Sequence, residues 1–265
     1  MLERFLKLAP YVAQITISDA NAPVIVSAAE VETIRELSNL LQPLEYITRE
    51  LSGEYYITVS KVIPLINCLL AQLRAIQPKS RLCVKLKQAL IDTASKRFLN
   101  LEENLPMAIA TLLDPRFKNF HFKNANAASN AMNALRNQIC LDNSTTSLDI
   151  DVTPDSFDFW QLHKKIASEK KKGNKRRDEI DLYLNNPVTP LTSNPIESWE
   201  DMKEIFPDLY NKFREYATII ATSVPAERLF FEAGTIMTER RNRLKPENLN
   251  MLLFLAGRPE EEWFH

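Results

Sequence analysis

The sequence predicts a mostly α-helical, globular protein, and two features of its composition support this fold class. It contains 4 glycines in 265 residues, whereas average usage would give about 19. Folds built from strands and tight turns need glycine where φ is positive, while helices need it chiefly at their ends. Hydrophobic residues make up 45% of the chain and charged residues 25%, which is typical of a soluble protein with a real core.

The first two elements are predicted as helices from apolar spacing and capping residues. Residues 1–17 carry apolar side chains at helical spacing, and Pro10 marks a kink or a break. In residues 27–53, Ser27 is a candidate N-cap, and Glu30 is placed to complete a capping box. Gly53 is a candidate stop for this helix.

The next segments predict further helices. Residues 55–76 open with a β-rich stretch, which forms either a short extended piece or the entry to a helix that is interrupted or started at Pro64. Residues 81–101 are amphipathic, and one more helix is predicted over 123–140. On the amphipathic segment we expect the apolar residues to face inward and the basic residues outward: Leu82, Leu86, Leu90 and Phe98 inward, Lys85, Lys87, Lys96 and Arg97 outward.

The composition predicts two helical domains on either side of a linker. Residues 1–140 form the predicted antiparallel helical array. Residues 141–194 are first acidic, then basic, then proline-rich, which is typical of a flexible segment. Residues 195–265 form the second predicted helical module.

Charge, cysteine and apolar-run counts exclude several classes of protein. Basic residues number 33 against 34 acidic ones, giving a net charge of -1, so any DNA contact must use a local patch. The apolar runs are far shorter than the roughly 20 residues that span a bilayer. Cys68, Cys83 and Cys140 form no Cys-x-x-Cys pair, and no histidine lies at zinc-ligand spacing from them, so no metal site is predicted.

The stretch "ATSVPAERLFFEAGTIMTERRNRLKPENLNMLLFL" at residues 221–255 predicts two helices with an unusual amount of apolar surface. Pro225 at the first helical position would place Glu227 at the third, where a carboxylate complements the helix dipole. The helix at 246–256 is apolar on nearly every side and must be buried in its own core or by a partner. The predicted dimerisation residues are Leu229, Phe230, Leu244, Leu249, Leu252, Leu253, Phe254 and Leu255.

This stretch resembles the C-terminal dimerisation region of hAT-superfamily DNA transposases and of their domesticated relatives with BED zinc fingers. The family pattern is SxxxERxFSxAG, followed by RxxL and FL. Three more stretches are similar to the same family in the same order: "MLERFLKLAPYV" at 1–12, "LQPLEYITRELSGEYYITVSKVIPLINCL" at 41–69 and "LLDPRFK" at 112–118. The resemblance therefore covers nearly the whole chain.

The resemblance implies an RNase H-like fold, in which two aspartates and one glutamate hold two divalent metal ions for DNA strand cleavage and transfer. Glu227 matches that glutamate. The two aspartates and the catalytic sheet belong to family segments that precede "MLERFL", so the chain is expected to be truncated and its RNase H-like part incomplete. Glu227 is then vestigial, and Mg²⁺ or Mn²⁺ is expected only in a completed transposase.

Other acidic residues have simpler interpretations than catalysis. Asp149 and Asp151 alternate with apolar residues as a strand edge would, but they lie in the predicted linker, where a solvated acidic loop is the plain alternative. Asp114 precedes a proline and is expected to shape a turn.

The basic residues of the linker predict a nuclear-import signal or a phosphate-contacting patch, with a solvated linker as the alternative. They are Lys164, Lys165, Lys170, Lys171, Lys172, Lys175, Arg176 and Arg177. Because the resembled family works on chromosomal DNA, we expect a nuclear protein.

Two functions of different classes follow from these observations. The first is a dimerisation module that pairs with a second copy or with related hAT or BED-finger proteins, binds DNA weakly if at all by itself and does not enter membranes. The second is one part of an active transposase, whose two aspartates lie upstream. A third and weaker alternative is a nuclear regulator, as some domesticated relatives have become.

Overall fold

A computed structural model of the chain describes residues 1–17, 26–145, 179–237 and 244–257, of which residues 17 and 142–145 are described by their backbone alone. Within these ranges the regular structure is helical and contains no strand, which confirms the mostly α class; the RNase H-like part stays a prediction. The helices are α1 (Leu2–Ile17), α2 (Ala28–Leu51), α3 (Val62–Ala75), α4 (Arg81–Arg97), α5 (Leu105–Leu113), α6 (Ala125–Thr145), α7 (residues 179–185), α8 (Pro195–Met202), α9 (Pro207–Ala217), α10 (Val224–Ile236) and α11 (Pro246–Ala256).

The residues predicted to start, kink or end the first two helices can be compared with the structure. The capping box is present, because the Ser27 hydroxyl accepts from the Glu30 amide at 3.3 Å and the Ser27 amide donates to the Glu30 carboxylate at 2.8 Å. The bond from the Ser27 amide, followed by one from the Ser27 hydroxyl to the same carboxylate, lowers the pKa of Glu30. Pro10 lies inside α1 without ending it, and α2 ends at Leu51, two residues before Gly53.

The orientation predicted for α4 is partly wrong. Leu86 and Leu90 do pack against a buried cluster formed by α2 and α3. Leu82, however, is 59% exposed and Phe98 37% exposed. The helix packs through Cys83, which is fully buried, and this rotates Leu82 out of the contact.

The main core is built around α5. Its residues 108–113 are all buried, and α5 contacts α3, α6 and α9. The largest buried side chain is Trp199 of α8, whose indole Nε1 donates to the Leu113 carbonyl at 2.8 Å. Its ring stacks on the rings of Tyr183 and Phe213, with ring centroids 5.0 and 5.3 Å away. The helices α7 to α9 are therefore part of the same core as α5.

The C-terminal end of the predicted linker, which the structure describes from residue 179, contains a packed helix where a flexible segment was expected. Residues 179–185 are helical, and Ile180 and Tyr183 are 2% exposed. The Glu179 carboxylate accepts from the Leu209 amide at 3.1 Å, so it caps the first turn of α9. Basic residues precede this short helix in the sequence and prolines follow it, so its apolar spacing is difficult to recognise from the sequence. The domain boundaries proposed above stay predictions.

The "LLDPRFK" stretch forms a turn with a buried ion pair. Asp114 and Arg116 have side chains 1% and 7% exposed, and Arg116 Nη2 lies 2.7 Å from Asp114 Oδ2. The same carboxylate accepts from the Ser60 hydroxyl at 2.6 Å and from the Arg116 amide at 3.0 Å. This is the turn chemistry expected for an aspartate before a proline.

Lys118 holds the end of α7 against this turn. Its backbone φ is +47° and the residue is 1% exposed. Its ammonium group donates to the carbonyl oxygens of Tyr183 and Asn186, each at 2.6 Å. A cation at the C-terminal end of a helix complements the helix dipole, and burial lowers the pKa of this ammonium group.

We expect Lys118→Met to lower the free energy of unfolding by about 2–3 kcal/mol, because the buried Tyr183 carbonyl and the Asn186 carbonyl would lose a charged hydrogen-bond donor. Lys123→Met, which removes an exposed lysine five residues away, should stay within roughly 0.5 kcal/mol of the wild type. Urea denaturation followed by circular dichroism measures both. Equal stability of the two variants would refute the capping role of Lys118.

Candidate dimerisation surface

The two last helices, α10 and α11, form a pair that contributes no buried residue to the described fold. Pro225 lies at the second position of α10 and Pro246 at the first position of α11, as helix starts favour, and Gly257 follows α11 as its C-cap. The two helices contact each other. Their boundaries therefore follow from the sequence, but the described part of the chain does not provide the burial expected for such apolar helices.

The start of α10 is fixed to the helical array. The Ala221 amide donates to the Thr58 hydroxyl at 3.0 Å, and the Arg228 guanidinium lies 2.6 Å from the Glu54 carboxylate. Ala221 also packs against the buried residues of α3. The position of the α10–α11 pair is therefore set at residues 221–228, ahead of its apolar part.

Most predicted dimerisation residues are exposed in the single chain. The exposed fractions are 47% for Leu229, 74% for Phe230, 39% for Leu252, 62% for Phe254 and 37% for Leu255. Leu244, Leu249 and Leu253 are half-buried. The eight residues thus divide into three that are already partly covered and five that offer their side chains to solvent.

Two further apolar residues on this surface were not among the predicted ones. Phe231 is 75% exposed and Met251 is 65% exposed. Helical spacing favours a single stripe through Leu229 and Phe230 and so omits their neighbour Phe231. The double phenylalanine itself, in a helix that otherwise follows the family pattern, was the signal that could have identified it.

Glu227 lies in the first turn of α10 and is exposed. Its carboxylate accepts from the Ser223 hydroxyl at 2.7 Å. Helix α10 begins at Val224, one residue before Pro225, so Glu227 is one position further along the helix than expected. In the described part of the chain no group of three or more His, Cys, Asp or Glu side chains could hold a metal ion.

The remaining predicted residues lie outside the described ranges. They include Asp149, Asp151 and the basic residues between 164 and 177. The described helices are each too short or too polar to cross a membrane.

Comparison with known proteins agrees with the position of this surface. Residues 179–258 match the hAT family C-terminal dimerisation region. Human "Zinc finger BED domain-containing protein 4" is 23% identical to this chain over an alignment of 266 residues. The alignment covers 96% of this chain and 22% of that protein, so the chain spans about a fifth of its relative's length. The matched region contains both the buried helices α7 to α9 and the exposed α10–α11 pair. The chain is therefore similar to hAT-type transposases at residues 179–258, which match their C-terminal dimerisation region, and to a BED zinc-finger protein over most of its own length.

Proposed function

We propose that this chain is a dimerisation module of a hAT-type transposase relative and that it pairs through the α10–α11 surface. The partner is a second copy or a related hAT or BED-finger protein. In this role the protein is nuclear, reaches DNA together with its partners and does not catalyse strand cleavage by itself. The observation that carries the proposal is the exposed apolar surface of α10 and α11 within the matched dimerisation region.

The size of this surface supports an interface between proteins. Phe230, Phe231 and Phe254 are 74%, 75% and 62% exposed. If each ring presents about 200 Å² when free, they offer roughly 400 Å² together. That is about half of the 800 Å² that each partner contributes to a standard interface. Aromatic residues at the centre of a patch are also those that contribute most to binding energy.

The division of the matched region explains how the surface is presented. Helices α7 to α9 are held in the core by Trp199 and Lys118, whereas α10 and α11 contribute no buried residue. The first half of the region thus fixes the second half to the helical array. A partner that covers α10 and α11 would remove the exposed apolar area without disturbing the core.

We expect the purified chain to dimerise and Phe254→Asp to weaken the dimer by roughly 20-fold or more, the effect of losing one central aromatic residue. Light scattering after size exclusion, over a range of loading concentrations, measures this. Leu99→Asp is the matched control, because Leu99 is 79% exposed but lies outside α10 and α11. A monomer at every concentration, or a dimer that Phe254→Asp leaves intact, would contradict the proposal.

The alternative is that Glu227 serves as one metal ligand of a transposase completed by other segments. It is supported by the match of Glu227 to the family glutamate and by the exposure of its side chain. Glu227→Gln distinguishes the two functions. A dimerisation module is unaffected by it, whereas Mg²⁺- or Mn²⁺-dependent strand cleavage by a completed protein would be lost.

A further inference from the structure

The segment from Arg74 to Arg97 concentrates positive charge on α4, the turn before it and the end of α3. It contains seven basic residues and a single acidic one, Asp92, in a chain whose net charge is -1. The basic residues are Arg74, Lys79, Arg81, Lys85, Lys87, Lys96 and Arg97. A local excess of this kind produces a field that the balanced chain as a whole does not have.

One of the seven makes side-chain hydrogen bonds within the fold, whereas the other six make none to the residues that the structure describes. The Lys87 ammonium group donates to the carbonyl oxygens of Arg74 and Ile76 at 3.0 and 2.6 Å, so it caps the C-terminal end of α3. The other six side chains are exposed. None of these six is within ion-pair distance of a carboxylate among the residues that the structure describes, whereas Arg35, Lys61 and Arg228 elsewhere are paired.

Three of the six cations form one line along the outer side of α4. Arg81, Lys85 and Lys96 are separated by 4 and 11 residues, which places them within about 60° of each other around the helix and spreads them over about 22 Å of its length. The packed residues Cys83, Leu86 and Leu90 lie on the opposite side. We call Arg81, Lys85 and Lys96 the basic face.

We propose that the basic face binds the phosphate backbone of duplex DNA. Duplex DNA presents a continuous row of phosphates, and a row of unpaired cations on a rigid helix can contact several of them at once. Such contacts position a protein on DNA without reading its sequence. The choice of DNA as the polyanion rests on the function proposed above, which places the chain among DNA-associated proteins.

Two other polyanions fit the basic face less well. Single-stranded nucleic acid is bound largely by stacking on aromatic side chains, and residues 74–97 contain no Phe, Tyr or Trp. Membrane-surface helices insert apolar residues beneath their cations. On α4 the exposed large apolar side chains are instead limited to Leu82 and Val84 in the first turn. Beyond them the outer side carries Gln88, Ala89 and Asp92, with Gln88 donating to Asp92 at 2.9 Å.

The test is fluorescence anisotropy with a short labelled duplex DNA of mixed sequence, titrated with the full chain at several salt concentrations. All proteins carry glutamine at the eight basic positions between 164 and 177, because that cluster would bind DNA independently. The test variant is Arg81→Glu with Lys85→Glu and Lys96→Glu. The control is Arg4→Glu with Lys7→Glu and Lys123→Glu, which changes the net charge equally at exposed positions elsewhere.

We expect the test variant to bind about tenfold more weakly or worse at low salt, and its slope of log K against log salt concentration to be smaller by about 3, since each lost phosphate contact contributes about 0.9. The control should stay within about threefold of its parent. Equal losses in both variants, no loss in either, or tighter binding of the parent to vesicles containing phosphatidylserine than to DNA would overturn the assignment. Light scattering on the same samples keeps the two proposals apart, because the basic-face variants should remain dimers.

Discussion

Replacing Trp199 with alanine is expected to lower the free energy of unfolding by about 3–5 kcal/mol, the range for a fully buried tryptophan. Trp199 is 0% exposed and joins three parts of the core. Its rings stack on Tyr183 of α7 and Phe213 of α9, and its indole nitrogen donates to the carbonyl that ends α5. Loss of the side chain would therefore loosen the attachment of the dimerisation region to the helical array.

Urea denaturation measures the loss of stability in Trp199→Ala, and two further variants serve as comparisons. Trp199→Phe keeps an aromatic ring and leaves the Leu113 carbonyl without its donor, which should cost about 1–3 kcal/mol. Tyr55→Ala removes an aromatic residue that is 94% exposed and should change stability by less than roughly 0.5 kcal/mol. If Trp199→Ala were no more costly than Tyr55→Ala, the described core would be wrong.

Asp114→Ala is expected to cost a similar amount, about 3–5 kcal/mol, because it leaves the buried Arg116 guanidinium without its counter-ion. The two side chains are 1% and 7% exposed and are joined at 2.7 Å. The Ser60 hydroxyl would also lose its acceptor. The double variant Asp114→Ala with Arg116→Met should recover part of the loss, since the buried charge is then removed.

An exposed ion pair provides the control for this experiment. Glu32 pairs with Arg35 at 2.8 Å, but both side chains are more than half exposed. Glu32→Ala should therefore change the free energy of unfolding by less than about 1 kcal/mol. A double variant at Asp114 and Arg116 that is less stable than Asp114→Ala alone would contradict the structural interpretation of this pair.

The predictable parts of the fold depend on residues that are close in sequence. The capping box of Ser27 and Glu30, the start of α10 within one residue of Pro225 and the start of α11 at Pro246 follow from local hydrogen bonding and fixed backbone angles. The exposure of Leu82 does not, because it depends on which side of α4 meets α2 and α3. Lys118 bonds to Tyr183 and Asn186, which lie 65 and 68 positions later in the chain. These bonds depend on tertiary packing, so no local sequence pattern predicts them.

The sequence predicted that residues 246–256 carry a large apolar surface, but not what covers it. A helix that is apolar on nearly every side, as residues 246–256 are, needs a cover wherever it lies. Whether that cover is internal or a partner depends on packing, and in the described chain α11 has no buried residue. Phe231 was left out because periodicity selects one face of a helix, whereas the exposed surface of α10 includes a neighbouring face. The individual roles of the eight predicted residues stay predictions.

Dimerisation through α10 and α11 is tested most directly by hydrogen exchange of the wild-type chain at concentrations below and above its dimer dissociation constant. If the chain pairs through α10 and α11, the amides of residues 249–255 should gain protection as the dimer forms, while those of α4 stay unchanged. The Phe254→Asp variant should show no such gain at the same concentrations. Protection that appears on other helices while residues 249–255 exchange equally fast in monomer and dimer would contradict dimerisation through α10 and α11.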